Sequence, residues 1–140
     1  MTRLASGLLA GVLIAGGLAG CTSVRSDLGT SDSSCYVALP AATRAVGPHA
    51  RLIGVHLVTL AALHRQTPAL FDALPHQPAS GQKVCLVAYE GSFTSRSVSK
   101  PLGRPSGPMA VVVSKIPSNQ LLGTVIVRGA PLRFGHSHIG

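Results

Sequence analysis

The sequence predicts an α+β fold, with about two helices packed on one face of a mostly antiparallel sheet of about four strands. Three observations lead there. Apolar residues recur at roughly helical spacing in two segments of the first half, one starting near Leu39 and one running from Leu60 to Leu74. The second half holds three short runs of β-branched and aliphatic character, separated by stretches rich in Pro, Ser and Gly. The resulting order is helix, strand, helix and then three strands, which groups most strands together as antiparallel sheets with helices to one side do.

The first helix starts near Leu39, where Pro40 is comfortable in the opening turn, and stops at Gly47-Pro48. Arg51 to Thr59 (RLIGVHLVT) suits a strand because its side chains are β-branched and aliphatic. Leu60, Leu63, Leu70, Phe71 and Leu74 then share one helical face. Thr67-Pro68 interrupts that pattern and predicts either a break or a second helix capped by Thr67, with Pro68 at its first position. Pro75 to Gln82 clusters Pro, Ser and Gly and is a loop. Lys83 to Tyr89 (KVCLVAY) alternates weakly and is the next strand. Met109 to Ile116 and Leu121 to Arg128 flank Pro117-Ser118-Asn119-Gln120, a turn-rich connection that predicts a hairpin. Ser92 to Pro108, dense in Ser, Pro, Gly and basic residues, is predicted as a loop.

The 140 residues allow one domain, and a hydrophobic content of 46% is too high for a disordered chain. There are 12 Lys+Arg against four Asp+Glu, a formal charge of +8. Four carboxylates leave little material for paired-carboxylate acid–base chemistry or an all-oxygen Ca²⁺ or Mg²⁺ cage, since each needs several acids in one place.

The N-terminus reads as an address. Met1-Thr2-Arg3 is a positive start, Leu8 to Ala19 is apolar or Gly throughout, and small residues precede Cys21. This describes a secretory signal peptide. A spanning helix needs about 20 apolar residues, more than this run supplies. Leu18-Ala19-Gly20-Cys21 closely resembles the lipobox of bacterial lipoproteins, at the position that family uses. The resemblance covers the first 21 residues. It implies that residues 1–20 are removed, that the Cys21 thiol receives a diacylglyceryl group, and that the chain is held at the extracytoplasmic face of a cell membrane. Two acyl chains hold a protein there durably where one does not. The alternatives are a plain anchor helix or a secreted protein with a coincidental Cys21.

Residues 21–34 form a polar tether, residues 35–134 the single folded domain, and residues 135–140 a His-containing tail. With Cys21 lipidated, Cys35 and Cys85 remain, and an oxidising compartment invites a disulfide between them. In the chain-entropy model such a bridge contributes on the order of 4 kcal/mol. Two buried unpaired thiols are the alternative. The absence of C-x-x-C argues against a redox-active dithiol.

Of the six His, only His136-Ser137-His138 has chelating spacing, because residues two apart on an extended segment project to one side. A metal- or cofactor-binding envelope protein using His136 and His138 is therefore the alternative function; His56 is a candidate third ligand that no spacing supports. A frayed polar tail is the plainer account of the pair, and a hydrogen-bonded or half-exposed strand residue that of His56.

No catalytic residue is assigned and no cofactor is implied. G-x-S-x-G, S-x-x-K and H-E-x-x-H are missing, and Asp72 and Glu90 are the only acids in the predicted domain that a Ser92-based hydrolase could use.

The mature chain has eleven Lys+Arg against four acids. Arg96, Lys100 and Arg104 share one loop with no acid between them, and Lys115, Arg128 and Arg133 follow in the strand region. A basic loop on a tethered domain is drawn to anionic lipid or anionic envelope polymer. Nucleic acid is disfavoured by export and by Phe93 being the loop's lone aromatic residue. The expected function is a non-catalytic, membrane-tethered binding or scaffold module with a basic surface loop.

Overall fold

Val84 to Tyr89 is apolar on both of its faces, and a strand of that kind needs a covering layer on each side. A computed structural model of the chain describes residues 33–75, 79 and 81–129 and shows how this is met. Residues 1–32, with the lipobox-like Leu18-Ala19-Gly20-Cys21 and most of the expected tether, lie outside the described residues, as do 130–140, with His136 and His138.

A 3₁₀ segment, Ser33–Ala38, leads into α1 (Leu39–Val46), β1 (Arg51–Thr59), α2 (Leu60–Gln66) and α3 (Pro68–Asp72). There follow β2 (Lys83–Thr94), β3 (Pro101–Gly103), β4 (Ser106–Lys115) and β5 (Gln120–Val127). The sheet order is β1-β2-β4-β5-β3. All neighbours are antiparallel except β3, which runs parallel to β5 at the far edge. The α+β class is as expected, with one helix and one strand more than the sequence suggested.

Side chains of β2 alternate between two cores. Val84, Leu86 and Ala88 join Val58, Leu60, Leu63, Leu70 and Phe71 under α2 and α3. Val87 and Tyr89 join Ala42, Ala45 and Val46 under α1 on the opposite face. The expectation of helices on one face therefore holds for α2 and α3 and is corrected for α1. The reason is the doubly buried central strand, whose α1 side would otherwise be open to water.

Local signals place the helix ends. Pro40 sits in the first turn of α1. Gly47 ends that helix at φ +88°, with its N–H donating to the Thr43 carbonyl at 2.9 Å; only glycine takes this conformation without strain. Thr59 joins β1 directly to α2, its hydroxyl accepting from the Ala62 N–H at 3.2 Å. Thr67 does stand before Pro68 at the start of α3. Its hydroxyl, however, turns back to donate to the Leu63 carbonyl at 3.3 Å, so it ties the end of α2 rather than capping α3.

The predicted loop from Ser92 to Pro108 is also corrected. β2 continues past an irregularity between Glu90 and Phe93 because the Phe93 ring is buried, and β4 begins already at Ser106. Between them the chain crosses to the far edge of the sheet. Val98 is buried in the α1-side core, the Ser99 N–H donates to Ala45 at 2.8 Å, and Lys100 accepts from the Thr124 N–H at 2.9 Å. The β4–β5 hairpin forms as expected.

Cys35 and Cys85 are joined as a disulfide, with Cα atoms 5.5 Å apart and both residues fully buried. It ties the 3₁₀ segment to β2, an interior strand between β1 and β4.

Candidate functional site

Strand direction decides which basic residues meet. β2 ends, β4 begins, and β5 and β3 both end on the same side of the sheet. Arg96 follows β2 there, in a turn closed by Ser97, whose hydroxyl accepts from the Thr94 N–H at 2.8 Å and donates to its carbonyl at 3.0 Å. The neighbouring Ser95 N–H donates to Pro105 at 2.9 Å, which brings this turn beside Arg104. Arg104 follows β3, and Arg128 follows β5 one strand away. All three are exposed.

Lys100 does not belong to this group. It precedes β3, so the three strand residues Pro101–Gly103 separate it from Arg104, a span of roughly 10 Å at about 3.3 Å per residue. Its ammonium donates to the Leu121 carbonyl at 3.0 Å. The trio Arg96, Lys100 and Arg104 is thus rearranged into Arg96, Arg104 and Arg128. Arg128 was visible in the sequence as a nearby charge. Its place beside Arg104 depends on the parallel pairing of Gly103 with Ile126, which no local signal announces.

The acids do not offset this end. Glu90 pairs with Arg51 across β1 and β2, both well exposed. The Arg51 guanidinium, by its hydrogen bond first, holds the Glu90 carboxyl below the usual carboxylate range, and Glu90 raises Arg51 in return. Asp72, the other described carboxylate, is exposed on α3 and makes no ion pair among the described residues.

Beside Arg104 and Arg128 lies a groove of about 440 Å³ between α3 and the β5–β3 border. Pro68, Ala69, Leu70 and Ala73 form one wall, Val125 and Val127 the other. It exists because five strands at about 4.8 Å spacing are wider than the roughly 10 Å of a helix, and α3 does not reach over β3. Among the described residues, Arg104 and Arg128 are the only charged ones lining it.

A second cavity, of about 260 Å³, is bordered by His49, Ala50, Ser92 and Phe93. His49 and Ser92 share it, but among the described residues no hydrogen bond joins them, and the adjacent Glu90 is engaged by Arg51. His56 is half-buried in β1, and His64 stacks on Phe71 with ring centroids 4.6 Å apart. Among the described residues no three His, Cys, Asp or Glu side chains gather as a metal site, and no helix is long and apolar enough to cross a membrane. Cys21, His136 and His138 are outside the described residues. Comparison with known proteins returned no matching family model, no matching curated protein and no matching solved structure.

Proposed function

We propose that the chain is a lipid-anchored protein of the extracytoplasmic face of a cell membrane, a non-catalytic module that binds anionic surfaces through one end of its sheet. The carrying observation is the convergence of Arg96, Arg104 and Arg128 at that end, while the nearby Glu90 is occupied by Arg51. Two further features support the reading. Leu18-Ala19-Gly20-Cys21 supplies the anchor, and the buried Cys35–Cys85 disulfide suits an oxidising compartment.

Each basic group near an anionic membrane contributes roughly 1 kcal/mol. Three together amount to about 100-fold in affinity, declining with salt. The test uses the chain from Cys21 onward with Cys21→Ser, so that no acyl chain contributes, and co-sedimentation with phosphatidylglycerol-containing or purely phosphatidylcholine vesicles. Arg96, Arg104 and Arg128 changed together to Gln should remove most of the preference for the anionic vesicles. An unchanged preference overturns the electrostatic reading. Labelling with a fatty-acid probe checks the anchor, which requires the wild type to be marked and a Cys21→Ala chain to stay dark.

A further inference from the structure

We infer that the groove between α3 and the β5–β3 border binds a single-chain anionic amphiphile, a long-chain fatty acid, with its hydrocarbon along the apolar walls and its carboxylate at Arg104 and Arg128. The inference shares those two arginines with the cationic end proposed above, but it also needs the groove, which surface binding does not use.

The argument begins with volume. About 440 Å³ lies toward the lower end of the roughly 300–1,000 Å³ spanned by small-molecule sites. It suits one acyl chain better than the two of a membrane phospholipid. The walls come next. Pro68, Ala69, Leu70, Ala73, Val125 and Val127 offer short aliphatic side chains, leaving a smooth apolar trough for a hydrocarbon. Charge then orients the ligand. Among the described residues the only charged ones on the lining are Arg104 and Arg128, set where adjacent parallel strands end, and neither makes an ion pair there. Arginine is the side chain whose planar fork matches a carboxylate. An apolar trough ending in two guanidiniums is thus complementary to a hydrocarbon ending in one carboxylate.

Titration calorimetry with dodecanoate on the full mature chain, Cys21→Ser, tests this, with octanoate and dodecanol as controls. Dodecanoate should bind one to one and at least tenfold more tightly than octanoate, since each further buried methylene adds up to about fourfold. It should also bind at least tenfold more tightly than the uncharged dodecanol, and Arg128→Gln should reduce that preference. Ala69→Trp places a large ring on an exposed groove residue and should lower dodecanoate affinity at least tenfold. Because Ala69 is outside the core, its thermal midpoint should match that of the parent chain.

Two comparisons separate this idea from the surface reading. Ala69→Trp should leave vesicle binding intact, and Arg96→Gln should weaken vesicle binding while leaving dodecanoate affinity intact. Equal affinity of dodecanoate and dodecanol, or an Ala69→Trp chain that binds like its parent, overturns the inference. So does a full chain that binds no dodecanoate, as it would if residues 130–140 or a second copy filled the groove.

Discussion

The hydroxyls of Thr43 and Tyr89 lie 3.0 Å apart and join α1 to the sheet face opposite α2 and α3. Tyr89 is otherwise enclosed, and burial pushes its phenol above the ordinary value, with the Thr43 hydrogen bond opposing the shift. Tyr89→Phe should cost about 1 kcal/mol at pH 8, seen as a thermal midpoint lower by about 4–8 °C. The raised folded-state value means that the phenol's contribution is fully present below about pH 10 and is lost as pH climbs past the folded value. Thermal melts from pH 8 to 11.5 should therefore show the gap between wild type and Tyr89→Phe narrowing. A gap that widens with pH contradicts this account.

The disulfide closes a loop with a sequence separation of 50 between Cys35 and Cys85. Replacing both residues with Ser should cost about 2–5 kcal/mol, read from urea unfolding midpoints. Peptide mapping without reduction should recover the two cysteines linked. Recovery of two alkylated thiols from natively folded material would refute the pairing.

Thr124 sits fully buried in β5, and its hydroxyl is the one buried side-chain polar atom without a hydrogen-bond partner among the described residues. Valine replaces that hydroxyl with a methyl group of similar size. Removing an unsatisfied polar group from an apolar site should raise stability by about 1 kcal/mol, and a lower urea midpoint for Thr124→Val would show that the hydroxyl is satisfied after all.

Gly107 and Gly123 both stand where strands pass closely. A Cβ at Gly107 would meet the Val127 backbone carbonyl at 2.6 Å, whereas one at Gly123 would meet the Leu102 side chain. A carbonyl fixed in the β4–β5 ladder cannot turn aside, but a half-buried leucine on the short edge strand has room to. Gly107→Ala should cost about 1–3 kcal/mol, and Gly123→Ala less. Equal losses in matched denaturation curves would count against the distinction.

Much of this fold was legible where the signals are local. The bounds of β1 follow from the aliphatic run between Gly47-Pro48 and Thr59, and the division of α2 from α3 follows from Thr67-Pro68. The start of α1 at Leu39 and the β4–β5 hairpin were likewise announced by nearby prolines and turn residues. The crossing of α1 to the other face was not. Its only trace was the unbroken apolar run in β2, which a periodicity argument treats as weak alternation. β3 was invisible because three residues, Pro101–Gly103, carry no pattern of their own and are held by pairing with a strand more than twenty positions away. The candidate site divides in the same way. Arg96 and Arg104 stood out by the absence of acids around them, whereas exclusion of Lys100 and recruitment of Arg128 depend on long-range register.

Under the anchorage proposed for Cys21, the covalent link at Cys35 has a mechanical consequence. Traction applied ahead of Ser33 travels two residues before it meets a sulfur bridge, and from there it passes straight into β2, which is laced to β1 and β4 on either side. The short helix α1 is bypassed, so a pull from the N-terminal side would load an interior strand of the sheet instead of peeling the domain open from its first turn.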